Sequence, residues 1–135
     1  MEQKKACVIL DTNFLLVPEQ YRIDIFSEIE NVLHKPYELF IIDETMSELE
    51  RLTKEGKVVD RVAANVAIQL VEKKGIKKID STELKGEIVD DFIVDVSGKD
   101  TFVCTNDKGL KRRLMRKGVR IIEMIKKSHL RLKKY

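Results

Sequence analysis

Four short acidic motifs in the sequence could together carry out phosphodiester chemistry. They contain Asp11, Glu48, the pair Asp90 and Asp91, and Asp107, and each stands where an apolar run ends or a predicted helix begins. Carboxylates brought together repel and raise one another's pKa unless a cation neutralises them. Carboxylate oxygens suit Mg²⁺ and Mn²⁺, so the motifs predict a divalent-metal site that activates water for attack on phosphorus.

Each acid taken singly has an ordinary structural explanation. Asp11 or Asp107 is equally suited to a turn or a helix N-cap, because Asp bonds readily to nearby backbone amides. Asp90 or Asp91 can cap the helix that follows, and Glu48 can be a surface charge on an amphipathic helix. Finding all four motifs at one predicted edge of the fold favours a shared metal site over four separate caps.

Other chemistries lack their usual sequence marks. His34 and His129 stand in neither an HExxH motif nor a zinc spacing, and the chain has no GxGxxG, Walker A or GxSxG motif. Cys7 and Cys104 lie in apolar runs, as small buried residues do. A receiver-type phosphoacceptor is disfavoured because its acidic pair should precede the phosphorylated Asp, whereas here Asp11 comes first.

The elements that must position these acids alternate between strand and helix patterns. Short β-rich runs predict buried strands at Ala6–Leu10, Leu39–Ile42, Phe102–Thr105 and Val119–Ile122, with a weaker candidate at Lys77–Ile79. Apolar periodicity predicts helices at Tyr21–Leu33, Thr45–Thr53, Arg61–Lys74, Val89–Val96 and Gly109–Arg116.

This alternation predicts an α/β fold, a three-layer α/β/α sandwich with a central parallel, Rossmann-like sheet. In open sheets of this class, ligands bind beyond the carboxyl ends of the strands at a switch in strand order. Asp11 follows the first predicted strand and Asp107 follows the Phe102–Thr105 strand. The fold prediction and the metal-site prediction therefore point to the same edge.

Length and charge limit the organisation and the partners. A chain of 135 residues fits one domain, predicted at residues 1–125, followed by a basic C-terminal tail at 126–135. Residues 108–135 carry 12 basic side chains and one acidic side chain, whereas residues 1–107 carry 14 basic and 22 acidic ones. This segregation predicts contact with a polyanion such as RNA near Asp107. The proposed contacts are Lys108, Lys111, Arg112, Arg113 and Arg116.

No apolar run approaches the ~20 residues of a membrane span, and the N-terminus lacks the apolar region of a signal peptide. We therefore expect a cytoplasmic protein with no membrane partner.

The motifs, read in order, resemble those of the PIN-domain nucleases. DTN at Asp11–Asn13, EL at Glu48–Leu49, DDFI at Asp90–Ile93 and TND at Thr105–Asp107 are similar to that family's four acidic motifs, over roughly Ala6–Glu123. Within the family the sequence is most similar to the Fcf-like, Utp-type endonucleases of the ribosomal small-subunit processome, in a shortened, archaeal-looking form. VapC-type toxins form the neighbouring branch.

The resemblance implies a metal-dependent endoribonuclease that hydrolyses single-stranded RNA, in ribosomal RNA processing and ribosome biogenesis. It implies that Asp11, Glu48, Asp90 and Asp107 carry Mg²⁺ or Mn²⁺, with Asp91 as an outer contact or the true third acid. The family's Asp-x-x-Ile spacing favours Asp90. The supporting residues it implies are Asn13, which braces the loop after Asp11, and Thr105, which bonds Asp107 or a metal-bound water.

Two other function classes stay open at this stage. The chain could be a VapC-type toxin ribonuclease silenced by an antitoxin, or a non-catalytic PIN scaffold that binds RNA or a processing-complex protein. Family members often dimerise, and an apolar face on Tyr21–Leu33 or Arg61–Lys74 would permit a homodimer.

Overall fold

A computed structural model describes residues 4–134 of the protein, and these form one sheet flanked by helices. The strands are Ala6–Leu10 (β1), Tyr37–Ile42 (β2), Lys77–Ile79 (β3), Thr101–Cys104 (β4), Arg120–Ile125 (β5) and His129–Leu132 (β6). The helices are Val17–Tyr21 (α1), Ile25–Leu33 (α2), Asp43–Glu55 (α3), Val58–Lys73 (α4), Val89–Val96 (α5) and Lys108–Lys117 (α6). A 3₁₀ turn at Asn13–Leu16 precedes α1.

The sheet is parallel except at one edge. Its strand order is β3-β2-β1-β4-β5-β6, and only β6 runs antiparallel, against β5. The chain moves outward from β1 to β2 and β3 and then returns to place β4 on the other side of β1. This reversal makes the gap between β1 and β4 the topological switch point. The predicted α/β sandwich with a central, mostly parallel sheet is confirmed.

Two hydrophobic cores lie on opposite faces of the sheet, and alternate residues of β1 contribute to each. Val8 and Leu10 face a core shared with α1, α2 and α4, whereas Ile9 faces a core shared with α5 and α6. Successive strand side chains point to opposite faces, so a strand covered on both sides must be apolar throughout. This is why β1 and β4 are continuous apolar runs.

Two helices begin at aspartates that accept bonds from their free backbone amides. Asp24 accepts from the amides of Phe26 and Ser27 at the start of α2. Asp107 accepts from the amide of Leu110, at 2.7 Å, at the start of α6. These caps satisfy N–H groups that lack partners within the helix.

The predicted helix at Tyr21–Leu33 begins later in the structure: α2 spans Ile25–Leu33, and Tyr21 is the last residue of α1. Arg22 has a left-handed conformation, with φ of 56°, that ends α1, and Asp24 then begins α2. The apolar period continues across the break, so periodicity alone did not show it. The helices predicted at Thr45–Thr53 and Arg61–Lys74 come closer together in the structure: α3 extends to Glu55 and α4 starts at Val58, so only two residues separate them.

The predicted basic tail at 126–135 is corrected for the residues that the structure describes, 126–134, with Tyr135 lying outside that range. Residues 126–128 form a turn, and β6 then pairs with β5 and completes the sheet. Leu130 is 4% exposed in the core, and its amide donates to Glu28 Oε1 at 2.9 Å. Alternating apolar and basic residues in β6 mark a half-buried edge strand, a pattern that the dense charge concealed.

No helix within residues 4–134 has the length and apolar character that crossing a bilayer requires.

Candidate active site

The candidate site lies where β1 and β4 end, at the switch point of the sheet. Leu10 of β1 is in register with Cys104 of β4, and the chain leaves each strand through polar residues, Asp11 and Thr105. The amide of Asp11 donates to the carbonyl of Cys104, at 3.1 Å, and continues the ladder by one residue. Neighbouring parallel strands thereby deliver the first and fourth acidic motifs to the same edge.

Asp11 is a buried carboxylate held by uncharged donors. It is 5% exposed; Oδ1 accepts from the amide of Asn13 at 2.9 Å and Oδ2 accepts from the hydroxyl of Thr105 at 2.6 Å. Burial raises the pKa of Asp11, the two hydrogen bonds oppose that rise, and the charge of Asp107 adds to it. Among residues 4–134, no lysine or arginine forms an ion pair with Asp11.

Thr105 connects two of the acids. Its hydroxyl donates to Asp11 and accepts from the backbone amide of Asp107, at 3.1 Å, and it is fully buried. The supporting role predicted for Thr105 thus has a geometric basis, as a bridge between Asp11 and the Asp107 backbone. Asn13 contributes its backbone amide, whereas its side chain is exposed.

Glu48 and Asp90 approach Asp11 from two helices. Burial raises the pKa of Glu48, and the charges of Asp11 and Asp90 add to the rise while Arg51 opposes it. Burial likewise raises the pKa of Asp90, with further contributions from Asp11 and Asp107 and opposition from Arg113. The charge of Asp11 acts on both Glu48 and Asp90, and the charge of Asp107 acts on Asp11 and Asp90, which links the four predicted carboxylates in one electrostatic group.

Asp107 combines a structural and a candidate site function. Its Oδ1 accepts from the amide of Leu110 and caps α6, which is the N-cap role that the sequence also allows for this residue. Its side chain is exposed, and its charge still reaches Asp11 and Asp90. The capping bond fixes the orientation of a carboxylate whose second oxygen is free of protein hydrogen bonds within the described chain.

Asp91 differs from the other acids in its partners, although its charge also adds to the raised pKa of Asp90, and its predicted metal contact stays a prediction. Its Oδ2 accepts from the amides of Glu87 and Ile88, at 3.0 and 3.3 Å, and its Oδ1 pairs with Arg113 at 2.8 Å. These bonds lower the pKa of Asp91. Gly86, with φ of +120°, makes room for it, since a Cβ there would lie 2.1 Å from Asp91 Cβ. Asp91 therefore holds the loop before α5, whereas Asp90 is the residue of the pair whose pKa is raised by Asp11 and Asp107.

Sequence reasoning missed a buried hydroxyl pair beside the site. Thr12 Oγ1 lies 3.0 Å from Thr45 Oγ1, and both side chains are buried. The pair ties the loop after β1 to the first turn of α3, one turn before Glu48. Only the position of Thr12 within the DTN motif could have pointed to it.

The predicted RNA-binding residues divide into free and engaged cations. Lys108, Arg112 and Arg116 are exposed on α6. Arg113 pairs with Asp91 and keeps 43% of its side chain exposed. Lys111 is corrected: its Nζ lies 2.6 Å from Oε1 of the buried Glu123, and only 18% of its side chain is exposed. The positive character near Asp107 therefore comes from the outer face of α6, without Lys111.

The donor set fits Mg²⁺ or Mn²⁺ by its chemistry. As placed within residues 4–134, no three His, Cys, Asp or Glu side chains are grouped closely enough to enclose an ion. Mg²⁺ retains several waters and needs only one or two direct carboxylates, so outer acids can hold those waters instead. Asp11, Glu48, Asp90 and Asp107 offer oxygen ligands. Burial is the main cause of the raised pKa of the first three, and repulsion from neighbouring acids, which a cation would relieve, adds to it.

A cleft of about 290 Å³ opens beside two of these acids, Asp11 and Asp107. Its lining includes Asp11, Asn13, Gln20, Tyr21 and Asp107. An acidic edge next to a cleft suits metal-assisted hydrolysis of an anionic ester, because the cation offsets the repulsion between substrate and carboxylates.

Comparison with known proteins agrees with this arrangement. Residues 8–127 match the family described as PIN like domain. Ribonuclease VapC4 of Methanocaldococcus jannaschii is 28% identical over 127 residues, which cover 93% of this chain and 95% of that protein. The rRNA-processing protein fcf1 of Schizosaccharomyces pombe is 32% identical over 109 residues, 79% of this chain, and this chain matches only about half (52%) of its length.

A solved structure shares the fold at a similar level of identity. The structure of the PIN domain endonuclease Utp24 superposes with a TM-score of 0.75 at 30% identity, and the match covers 96% of this chain and 92% of that one. The family match spans both strands and both helices that carry the four acids. The chain therefore belongs to the PIN-like domain family of nucleases.

Proposed function

We propose that this protein is a Mg²⁺- or Mn²⁺-dependent endoribonuclease that hydrolyses phosphodiester bonds of single-stranded RNA. The observation that carries the proposal is the group formed by Asp11, Glu48, Asp90 and Asp107 at the switch point of the sheet. Three of these acids, Asp11, Glu48 and Asp90, have a raised pKa, and none of the three forms an ion pair with another residue of the described range 4–134. Such unpaired, interacting carboxylates in a cleft are typical of functional sites.

The side chains divide the work according to their burial. Asp11 is the best candidate for a direct metal contact, because Asn13 and Thr105 hold its two oxygens in one orientation. Glu48, Asp90 and Asp107 are partly or fully exposed and can hold metal-bound waters or a second ion. When bound, the ion lowers the pKa of water and stabilises charge on the phosphoryl oxygens.

The basic face of α6 supports RNA as the substrate. Lys108, Arg112 and Arg116 lie on α6, which begins one residue after Asp107. Phosphates bound by this face of the helix would therefore lie beside the acids. Phosphate contacts supply affinity and register without reading bases. Few exposed aromatic rings are available for base readout within residues 4–134, so we expect weak sequence preference from this surface.

Ribosomal RNA processing is the proposed cellular role, supported by the similarity to fcf1, which is named as an rRNA-processing protein. The similar Utp24 structure is that of a PIN domain endonuclease, which supports internal cleavage. A VapC-type toxin role is the second candidate, because the match to ribonuclease VapC4 covers nearly the whole of both chains. A toxin would need a small antitoxin partner; a processing enzyme would need pre-rRNA or an assembly partner. Copurification of the chain with a small acidic protein would favour the toxin.

We also propose a cytoplasmic location and a homodimer. Cys7 and Cys104 are free thiols, as expected in a reducing cytoplasm. Val58, Val59 and Val62 at the start of α4 are 65%, 68% and 47% exposed, and such an apolar patch could serve a homodimer. Light scattering at several protein concentrations would test for the dimer.

The decisive experiment compares RNA cleavage by the natural chain with that of two matched variants. Single-stranded RNA and pre-rRNA fragments spanning small-subunit ends are incubated with protein and Mn²⁺, Mg²⁺ or EDTA, and cut sites are mapped. We expect metal-dependent internal cleavage that Asp11→Asn lowers by ~10²-fold or more. Asp100→Asn is the control, since that exposed acid pairs with Lys4 away from the site. Equal loss in both variants, or cleavage that persists in EDTA, would contradict the proposal, and binding without cleavage would indicate a non-catalytic scaffold.

A further inference from the structure

Backbone strain is concentrated at one place beside the candidate active site. Four non-glycine residues among 4–134 have positive φ: Arg22, Lys126, Lys127 and His34, at 56°, 53°, 54° and 52°. The left-handed region costs free energy for any residue with a Cβ, and it is usually left to Gly or Asn. Three of the four, Arg22, Lys126 and Lys127, are near Tyr21 in the chain or in space: Arg22 follows Tyr21, and Lys127, the neighbour of Lys126, lies over the Tyr21 ring.

The two lysines form the tip of the β5–β6 hairpin. The amide of Ser128 donates to the carbonyl of Ile125 at 3.1 Å, which closes the turn over Lys126 and Lys127. Positive φ at both central residues is the type I′ pattern, for which Asn followed by Gly is the preferred sequence. A Lys-Lys pair here forgoes stability that a common turn sequence would supply. Strain of this kind is found at ligand clamps, where side-chain chemistry outweighs backbone preference.

Tyr21 connects this turn to the acids. The Nζ of Lys127 lies 5.9 Å from the centre of the Tyr21 ring, and Arg22 follows Tyr21 directly. The ring is 38% exposed and lines the same 290 Å³ cleft as Asp11 and Asp107. An exposed ring flanked by cations at the mouth of an acidic cleft offers stacking to a planar group and charge to an anion.

We propose that Tyr21, Lys126 and Lys127 form a nucleotide subsite, which binds one unpaired nucleotide of single-stranded RNA next to the scissile phosphate. The base stacks on the exposed part of the Tyr21 ring, and the two ammonium groups contact the adjoining phosphate. The subsite deepens the proposed endoribonuclease function and rests on it for the position of the scissile bond. It also explains why lysines occupy a turn that disfavours them.

The strain provides a test that a purely structural turn would fail. The double variant Lys126→Asn, Lys127→Gly installs the preferred turn sequence and removes both cations. We expect its melting temperature to rise and its affinity for single-stranded RNA to fall. The slope of log affinity against log salt should shrink by about 0.7 for each phosphate that the variant no longer neutralises, or about 1.4 for two. Binding is measured in EDTA, so that cleavage does not interfere.

His34→Gly is the matched control for strain. His34 has the same left-handed conformation, but it ends α2 and lines a separate cleft together with Lys35 and Tyr37. Glycine there should raise the melting temperature and leave RNA affinity and the salt slope unchanged. This control separates strain relief in general from the loss of the two lysines.

Two Tyr21 variants test the stacking. Tyr21→Ala should lower affinity by roughly five- to hundredfold, as loss of one base–aromatic stack does, whereas Tyr21→Phe should bind within about twofold of the natural chain. The Phe variant keeps the packing of the ring, so it separates stacking from a general loss of fold. The fold of Tyr21→Ala is checked first. If this variant then binds RNA as tightly as Tyr21→Phe, no base stacks on the Tyr21 ring.

The outcomes distinguish this subsite from the proposed nuclease activity. If the natural chain binds RNA, and the double variant binds it with unaltered affinity and salt slope, the subsite is overturned even though cleavage stands. If the natural chain binds RNA through Tyr21 and the lysines but never cuts it, the nuclease proposal fails and the binding site remains. A natural chain that does not bind single-stranded RNA overturns both.

Discussion

Two buried carboxylates near the same end of the sheet have opposite surroundings. Asp11 is 5% exposed and is held by a hydroxyl and an amide, with other acids nearby. Glu123 on β5 is 3% exposed and accepts from Lys111 at 2.6 Å and from Arg131 at 2.9 Å, with Lys133 at 3.9 Å. Burial is nearly equal in the two residues, and the partners differ completely.

The partners of each carboxylate determine whether its pKa is raised or lowered. Burial raises the pKa of Asp11, and its two hydrogen bonds do not offset that effect. Burial also acts to raise the pKa of Glu123, but the bonds from Lys111 and Arg131 outweigh it and leave the pKa lowered. A buried acid with its own cations stabilises the fold, whereas a buried acid without them is available to an external cation. Four experiments test this difference between Asp11 and Glu123.

The largest expected effect is on stability, from deletion of residues 126–135. The deletion removes Leu130 from the core and two cations from Glu123. Loss of a buried Leu costs about 2–5 kcal/mol, and a buried charge stripped of partners costs about 3 kcal/mol or more. Because domains are stable by only about 5–15 kcal/mol, we expect most of the stability to be lost. Urea unfolding measures it, and a truncated chain that unfolds at the same urea concentration would show that β6 is dispensable.

Next in size is the response to Mn²⁺, which should distinguish Asp11 from Glu123. A cation at 100 times its dissociation constant stabilises the folded chain by about 2.7 kcal/mol. Asp11→Asn should remove most of this gain. Glu123→Gln should lower stability by about 3 kcal/mol without metal and keep the Mn²⁺ gain. Thermal melts of the three proteins with and without Mn²⁺ provide the comparison; if the natural chain melts identically in both, no shared ion site exists.

The pH dependence of stability should have opposite signs for the two residues. The folded pKa of Asp11 is raised, so its favourable contribution is complete below about pH 4 and is lost as the pH rises through the folded pKa. The folded pKa of Glu123 is lowered, so its contribution is present above about pH 4.3 and is lost as the pH falls through the folded pKa.

Urea unfolding between pH 3 and pH 7 would measure these contributions as differences from Asp11→Asn and Glu123→Gln. As the pH rises towards 7, the free energy of unfolding of Asp11→Asn should increase relative to that of the natural chain. The free energy of unfolding of Glu123→Gln should decrease relative to it, and each change should be on the order of 1 kcal/mol. If the difference in unfolding free energy changed with pH in the same direction for both variants, the neighbouring cations would not explain the contrast between Asp11 and Glu123.

The smallest effect is in RNA binding by α6. Arg112→Gln and Arg116→Gln should each reduce the salt slope by about 0.7, because each removes one exposed cation that can neutralise a phosphate. Lys111→Gln should leave that slope unchanged and lower stability instead, because Lys111 is paired with Glu123. Filter binding at several salt concentrations measures the slopes. If Lys111→Gln still folds and reduces the salt slope, Lys111 contacts RNA after all.

The sequence alone determined the fold class and the set of candidate acids. Apolar strands such as β1 and β4 are readable because both faces of each are buried, so no polar residue interrupts them. The polar residues that follow these strands had to lie at the carboxyl edge, since parallel strands end on one side. Asp11 and Asp107 were therefore assigned to one site before any contact was known.

Only the tertiary structure decided which charges are free. Asp90 and Asp91 are adjacent and chemically identical, and their difference depends on Arg113 and on Gly86. Lys111 looked like its basic neighbours until Glu123 was placed beside it. The physical reason is that ion pairs and desolvation depend on distances between residues far apart in sequence. Local periodicity encodes which side of an element is buried, whereas the partner that neutralises a charge is encoded only in the assembled fold.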